Sequence, residues 1–340
     1  MSPTTSSRAP SPSLILETLH AYQRSRALHA AIEMDLFTII AEGSATSKTI
    51  ATRIQASEKG TRVLCDYLTV SGFLNKQGDD YSLTLDSSVF LNRHSAGYIG
   101  SISQFLCNVE GMEAFRDIAA IVRKGGTVIG QEGMLTAENP VWVEFARSMA
   151  PLTTMSAQMI AELVGARDGA KWKVLDIAAG HGIFGITIAK NNPNAHIVAV
   201  DWPPVLEVAE ENAASAGVAH RFRKIPGNAF EVEFENGYDI VLITNFLHHF
   251  DVPTNEQLLR KVHAAMAPGS RAVTVDFIPN QDRVSPPRDA TFSLTMLGAT
   301  ASGDAYTFAE YDQMFKNAGF SRNELVQLDP SPQRVIVSYK

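Results

Sequence analysis

A glycine-rich turn after an apolar segment is the part of the sequence best suited to hold a ligand. Residues 174–185 read VLDIAAGHGIFG, with Asp176 in the apolar run and Gly180, Gly182 and Gly185 after it. Glycines at this spacing let the backbone approach a nucleoside closely at the carboxyl edge of a parallel sheet. Asp201 ends a second apolar run, where a carboxylate can accept both hydroxyls of a ribose. The pattern predicts a nucleotide-like cofactor, and because it also satisfies the dinucleotide fingerprint it leaves NAD open.

Two adjacent histidines, His248 and His249, lie in the segment NFLHHF. An imidazole has an ordinary pKa of about 6.5, so it can accept a proton at neutral pH. The pair can also be packed at the end of a strand, or can bind a metal together with Asp251. We expect no metal site, because no third or fourth ligand has the spacing that would complete one.

The second half of the chain alternates short β-type runs with helical stretches. This alternation predicts βαβ units and a mostly parallel sheet. We expect a helix near 308–318. The last two β-type runs are separated by a turn at 329–332, which reads Asp-Pro-Ser-Pro and suits an antiparallel end of the sheet. The predicted strands are residues 173–177, 196–200, 221–225, 239–244, 271–277, 324–328 and 334–339. We therefore expect an α/β, Rossmann-like domain over residues 166–340, with the boundary in the GARDGA segment.

The first half of the chain is predominantly helical in pattern, and we expect a separate domain over residues 13–165. Within it, helices near 49–53 and 59–71, a stop at Gly72 and a hairpin around Gly78 outline a winged helix-turn-helix. DNA binding requires several uncompensated positive charges. Residues 45–95 instead hold six Lys or Arg against five Asp or Glu. Packing or dimerisation is therefore the favoured interpretation, and a DNA-binding regulator that senses a small molecule is an alternative.

The composition is that of an ordinary globular protein. The 340 residues are 45% hydrophobic and 19% charged, and the net charge is -7, so no overall attraction to nucleic acid or anionic membrane is expected. The two cysteines lack metal-binding spacing and favour a reducing compartment. Residues 1–12 are rich in Ser, Thr and Pro and predict a disordered tail, and no run is long and apolar enough to span a membrane. We expect a cytoplasmic protein.

Taken together, the glycine turn, Asp201, the GNAF turn and NFLHHF resemble a class I S-adenosylmethionine-dependent methyltransferase. With the helical first half, nearly the whole of residues 14–340 resembles the two-domain small-molecule O-methyltransferases of the caffeate and hydroxyindole type. The resemblance implies a dimerisation domain followed by a methyltransferase domain, and a homodimer. It also implies S-adenosylmethionine as cofactor, with S-adenosylhomocysteine as product. The residues expected to bind the cofactor are Thr153, Asp176, Gly180, Gly182, Asp201, Trp202, Asn228, Ala229 and Asn245.

The same resemblance implies catalytic roles for His248 and Asp276. His248 aligns with the first residue of the family's His-Asp-Trp motif, and a base there would take the proton of the acceptor hydroxyl. Asp276 is one of two acidic residues that flank this base in the plant enzymes. The second falls at Ala305, so one orienting carboxylate is missing. We expect His248 to be a weaker base, suited to an easily ionised phenol.

The resemblance further implies an apolar acceptor site. Its expected lining is large and soft, which suits a flat aromatic or polyketide-like molecule. The residues concerned are Phe145, Met149, Phe292 and Met296. The loss of a carboxylate at Ala305 also leaves open methylation of carbon or nitrogen, or other chemistry on the same cofactor. A NAD-dependent dehydrogenase is the remaining alternative.

Overall fold

The computed structural model describes residues 10–130, 132–136, 139–329, 331 and 333–340. The described residues form two compact units, which divide between Cys107 and Asn108. Most of the expected N-terminal tail, residues 1–9, and two residues of the expected turn at 329–332 lie outside the described residues. No helix of the described part is long and apolar enough to cross a membrane.

The first unit consists of helices and one hairpin. Its elements are α1 (Ser13–Glu33), α2 (Leu36–Ala41), α3 (Ser47–Arg53), α4 (Glu58–Val70), β1 (Leu74–Gln77), β2 (Asp80–Leu83), α5 (Leu85–Phe90) and α6 (Ile102–Leu106). Thr46 and Ser57 cap the N-termini of α3 and α4 through their side chains. Gly72 and Gly78 adopt the left-handed conformation after α4 and in the hairpin turn. The two helices and the hairpin that were expected here are present as α3, α4 and β1–β2, and the winged helix-turn-helix remains a prediction.

The second unit is an α/β domain. It comprises α7 (Val109–Ala114), α8 (Ile118–Lys124), α9 (Val141–Leu163), β3 (Lys173–Ile177), α10 (Ile183–Asn191), β4 (His196–Asp201), α11 (Pro203–Ser215), β5 (Phe222–Pro226), β6 (Tyr238–Thr244), α12 (Val252–Ala265), β7 (Met266–Asp276), α13 (Pro287–Ala299), α14 (Phe308–Asn317), β8 (Arg322–Gln327) and β9 (Arg334–Tyr339). Short 3-10 turns cover Gly133–Leu135, Ala166–Asp168, Ala219–Arg221 and Leu247–His249.

The seven strands pair in the order β5-β4-β3-β6-β7-β9-β8. Neighbouring strands from β5 to β7 are parallel, and β9 runs antiparallel to both β7 and β8. From β3 the chain builds outwards through β4 and β5 on one side, and it then crosses over to place β6 on the other side of β3. This reversal opens a crevice at the carboxyl ends of β3 and β6, where ligands bind in open α/β sheets.

The two faces of the sheet are buried in separate hydrophobic clusters. Successive residues of a strand point to opposite faces, so Val174 joins the cluster with α9 and α10, and Leu175 joins the one with α12 and α14. Burial on both faces explains why the central strands, such as β3, β4 and β6, read as nearly continuous apolar runs and why their positions could be predicted.

The division between the compact units lies at Cys107 and Asn108, whereas we expected the domain boundary at 165/166. The difference comes from α7 and α8, which contact α13, and from α9. This helix packs its Ala157 and Ile160 face with the residues of α10 against the sheet. Its helical pattern resembles that of the first unit, but its apolar face is buried in the second.

Candidate active site

Two strained residues mark the crevice between β3 and β6. Ala178 follows β3 and Asn245 follows β6, and both have positive φ angles, 51° and 52°. Non-glycine residues rarely adopt this conformation, and such strain is concentrated at functional sites. The backbone N–H of Asn245 donates a hydrogen bond to Val275 O at 2.7 Å. The strain turns the chain sharply at the edge where the predicted site residues converge.

The glycine loop is held by Asp201 at the end of β4. The Gly180 N–H donates to Asp201 Oδ2 at 2.8 Å, and the Trp202 N–H donates to Oδ1 at 2.7 Å. Gly180 and Gly182 have φ values of 56° and 72°, which glycine adopts without strain. Burial raises the pKa of Asp201 to about 6, against the lowering effect of the two N–H groups. The carboxylate keeps unused lone pairs, so it remains able to accept hydroxyl groups.

Asp176 lies beneath the loop instead of facing the crevice. It is fully buried, its Oδ2 accepts the Gly185 N–H at 3.1 Å, and Oδ1 has no hydrogen-bond partner among the described residues. Burial raises the pKa of Asp176 to about 8, so the carboxyl is largely protonated at neutral pH. A side chain added at Gly185 would lie 2.8 Å from Asp176 Oδ2, which explains why glycine is needed there. This geometry favours support of the loop over direct contact with a ligand.

His181 connects the glycine loop to α9, a contact that sequence reasoning missed. Its Nδ1 accepts the Ile183 N–H at 3.1 Å, so Nε2 carries the proton and donates to Thr153 Oγ1, also at 3.1 Å. The Thr153 hydroxyl in turn donates to Ala150 O at 2.9 Å. Burial lowers the pKa of His181 to about 4, so the ring stays neutral. The ring of Phe145 stacks on it, with centroids 6.4 Å apart.

Asn228 and Ala229 form a turn beyond β5. Asn228 Oδ1 accepts the Phe230 N–H at 3.0 Å, and one face of the amide oxygen remains available. Lys261 of α12 holds the turn from behind, because its Nζ donates to the carbonyl oxygens of Ala229, Phe230 and Val232 at 3.0, 3.1 and 2.5 Å. Lys261 was not predicted.

His248 and Asp276 form a buried pair at the ends of β6 and β7. His248 Nδ1 lies 2.5 Å from Asp276 Oδ1, and the side chains are 4% and 0% exposed. Asp276 also accepts the Phe277 N–H at 2.8 Å on Oδ1 and the Tyr311 hydroxyl at 2.8 Å on Oδ2. His248 Nε2 has no partner among the described residues and is not one of the fully buried polar atoms. The imidazole is therefore fixed at one nitrogen and open at the other.

The backbone of His248 is clamped by the segment after α13. The Asp304 N–H donates to His248 O at 3.0 Å, and a side chain at Gly303 would lie 2.2 Å from the same oxygen. Ala305 is fully buried, and its N–H donates to Asp304 Oδ1. Within the described residues, Asp276 is the carboxylate that hydrogen-bonds to His248. Gly303 allows the segment to approach the His248 backbone closely. The second carboxylate that would orient His248 is absent, because position 305 is alanine.

Two of the four predicted acceptor-site residues lie next to the functional groups. The Phe292 ring meets the His248 ring edge to face at 4.9 Å and stacks on Phe277 at 3.8 Å. Phe145 lies over the glycine loop, 3.8 Å from the position a side chain at Gly180 would take. Met149 is half-buried one turn along α9, and Met296, one turn after Phe292, is 4% exposed. The described residues contain no group of three metal-ligating side chains.

The chain matches two family models. One, described as the O-methyltransferase domain, covers residues 116–321, more than half of the chain, and the other, the O-methyltransferase dimerisation domain, covers residues 16–93. A crystal structure of a candidate O-methyltransferase from Nostoc punctiforme is 52% identical, with a TM-score of 0.95 over 98% of this chain and 100% of that one.

Characterised relatives are more distant. The 3-hydroxy-5-methyl-1-naphthoate 3-O-methyltransferase of Streptomyces sahachiroi is 25% identical over 97% of this chain and 95% of its own. The tetracenomycin polyketide synthesis 8-O-methyl transferase TcmO of Streptomyces glaucescens is also 25% identical, over 94% of both chains. These matches confirm the resemblance and do not favour a dehydrogenase or a DNA-binding regulator. The chain therefore belongs to the S-adenosylmethionine-dependent O-methyltransferases, with the family's dimerisation domain followed by its class I methyltransferase domain.

Proposed function

We propose that the protein methylates a hydroxyl group of a small aromatic or polyketide-like acceptor, with His248 as general base and Asp276 as the carboxylate that orients it. The observation that carries this proposal is the state of the His248 ring. Its Nδ1 is 2.5 Å from Asp276, while Nε2 is unpartnered beside Phe292. A base must present one free lone pair to its substrate, and this ring has one.

The pair performs the proton transfer as follows. The Nδ1–H of His248 donates a hydrogen bond to Asp276 and keeps its proton, which leaves the Nε2 lone pair to accept the proton of the acceptor hydroxyl. Bound S-adenosylmethionine supplies an electrophilic methyl group. Asp276 stabilises the imidazolium that forms, and Tyr311 stabilises the carboxylate. General-base assistance of this kind is worth about 100- to 10,000-fold in rate. With Ala305 in place of the second carboxylate, the base suits an acidic phenol.

The residues at the crevice fit the cofactor. A carboxylate with free lone pairs lies beside a glycine loop at the topological switch point, so an acceptor for ribose hydroxyls stands next to a backbone that a ligand can approach closely. Asp201 would accept the ribose hydroxyls, Asn228 and Ala229 would lie beside the adenine, and Asp176 would support the loop. The remaining proposed contacts are Gly180, Gly182, Trp202, Asn245 and Thr153. The Thr153 hydroxyl would have to give up its hydrogen bond to Ala150 O in order to donate to the carboxylate of the cofactor.

The proposed acceptor class rests on the aromatic walls at Phe145 and Phe292. Flat rings near the base favour a flat acceptor, since aromatic pairs gain from stacked or edge-to-face contact. Met149 and Met296 would complete an adaptable apolar lining. The named activities of the two Streptomyces relatives, on a naphthoate and on tetracenomycin, agree with this class.

We also propose a homodimer formed through the first unit. The first half of α1 exposes five large apolar side chains: Leu14, Ile15, Leu16, Leu19 and Tyr22. An apolar face of this kind on a family dimerisation domain is suited to a second copy of the chain. Sedimentation should give twice 37.0 kDa, and replacing Leu16 and Leu19 by Glu should give monomers. A monomeric wild-type protein would contradict the proposal.

A cytoplasmic location is proposed as well. The proposal rests on the sequence, in which the two cysteines, Cys65 and Cys107, stand alone without metal-binding spacing, a usage that favours a reducing compartment. Fractionation of the source cells with antibody detection would test this, and recovery outside the cytoplasm would overturn it.

The function is tested by calorimetry followed by turnover. We expect S-adenosylhomocysteine to bind saturably and NAD not to bind. With S-adenosylmethionine and a panel of phenols, the wild type should release S-adenosylhomocysteine. The variant His248→Asn should bind S-adenosylhomocysteine as well as the wild type does but lose about 100-fold or more in kcat. Unchanged kcat in His248→Asn would show that the base lies elsewhere.

A further inference from the structure

His249 is a second imidazole at the site, and it is not used by the proposed mechanism. Its ring centroid is 4.2 Å from that of His248, the base. Its Nδ1 lies 3.1 Å from Phe246 O, and because a carbonyl oxygen can only accept, Nδ1 carries the proton. The lone pair of the ring is therefore on Nε2.

The Nε2 atom of His249 is available to a ligand. It has no hydrogen-bond partner among the described residues, and it is not one of their fully buried polar atoms. The ring is half-buried between His248 and Trp142, whose ring meets it edge to face at 5.5 Å. Trp142 in turn contacts Phe145, a proposed wall of the acceptor site. The free nitrogen thus belongs to the same aromatic surroundings as the base.

The ring is also held in its neutral form. Burial and the neighbouring His248 keep the pKa of His249 well below its ordinary value. A neutral imidazole with a fixed Nδ1 proton can accept one hydrogen bond at Nε2 and cannot form an ion pair there. Nε2 therefore favours a ligand that presents a hydroxyl or amine donor. It disfavours a carboxylate, because the oxygen lone pairs of that group would face the lone pair of Nε2.

We propose that His249 Nε2 is a substrate-positioning group that accepts a hydrogen bond from a second donor on the acceptor, next to the hydroxyl that His248 deprotonates. The inference rests on the proposed role of His248. Two free imidazole acceptors on adjacent residues fit an aromatic acceptor with two neighbouring donors, such as vicinal hydroxyls or a hydroxyl beside an amine. An acceptor that lacks the second donor leaves a half-buried nitrogen unpaired, which costs about tenfold in affinity or more.

The test compares two matched probes, 2,3-dihydroxynaphthalene and 2-naphthol, which differ by one hydroxyl. Calorimetry with the S-adenosylhomocysteine complex measures binding, so that it does not depend on turnover. In the wild type we expect the diol to bind about tenfold more tightly or better. His249→Phe keeps the ring contacts with Trp142 and removes both nitrogens, and it should abolish the preference while leaving 2-naphthol affinity within about twofold.

His249→Gln is the matched control, because its amide oxygen can restore an acceptor, and it should recover most of the preference. Equal binding of the two probes to the wild type, or an equal loss of both in His249→Phe, would overturn the inference. Unaltered S-adenosylhomocysteine affinity in His249→Phe shows that the variant is folded. Preferential binding of the diol without its methylation would contradict the proposed function and leave the role of His249 standing, so the two failures are distinguishable.

Discussion

The hydroxyl of Tyr311 donates a 2.8 Å hydrogen bond to Oδ2 of Asp276, the carboxylate whose other oxygen lies 2.5 Å from His248. All three side chains are buried. The carboxylate thus meets a donor on each side, which restricts its rotation. Because Ala305 provides no second carboxylate, the Tyr311 hydroxyl of α14 and the Phe277 N–H are the donors that hold the remaining one in place.

Tyr311→Phe should lower kcat about tenfold, because a charge-assisted hydrogen bond of about 1.5–3 kcal/mol is removed from Asp276. Without this donor the carboxylate can rotate away from His248 Nδ1, so the base is oriented less well. Turnover at a saturating acceptor concentration measures the loss. Tyr306→Phe is the matched control, since that buried hydroxyl donates to Phe250 O at 2.6 Å instead. Equal effects in both variants would indicate a merely structural role.

Cofactor binding should weaken as the pH falls through about 6. Burial raises the pKa of Asp201 to about 6, so below that pH the carboxyl becomes protonated and loses its charge. Ribose hydroxyls favour the ionised form, so binding should also release protons near pH 6. Calorimetry of S-adenosylhomocysteine in buffers of different ionisation enthalpy measures this release. Asp201→Asn should bind more weakly and show no such release, and an identical release in that variant would exclude Asp201 as its source.

Lys261→Met should weaken S-adenosylhomocysteine binding about tenfold. The ammonium holds three carbonyl oxygens of the turn beside Asn228, and methionine keeps the length of the stem without the donors. Lys224→Met is the control, because that ammonium pairs on the surface with Glu207 and Glu210. Equal affinities in the wild type and both variants would show that the turn needs no support from Lys261.

Gly303→Ala should lower kcat at least tenfold with little change in S-adenosylhomocysteine affinity. The added methyl group would lie 2.2 Å from His248 O, so the backbone that carries the base must move, and small displacements of a reacting group are costly. Gly298→Ala is the comparison, since its methyl group would meet the Phe115 ring at 3.2 Å, a contact that a small shift relieves. Wild-type kcat in Gly303→Ala would refute the clamp on His248.

The sequence by itself determined the elements and the cofactor turn. The central strands of the second unit are buried on both faces, so their apolar runs revealed them, and the antiparallel end of the sheet was predicted as well. The turn after β3 requires left-handed residues at Gly180 and Gly182, and glycine is the residue that signals this need. Local patterns carry such information because periodicity and backbone conformation are local properties.

The meeting of distant side chains was decided only by the tertiary structure. Tyr311 reaches Asp276, and His181 reaches Thr153, across long stretches of chain whose order in the sheet no local pattern contains. The compact units likewise divide before α9, because the partner of an amphipathic helix depends on which apolar surface it finds in the folded chain. Hydrogen bonds between remote residues follow from strand order and helix packing, and these are properties of the whole fold.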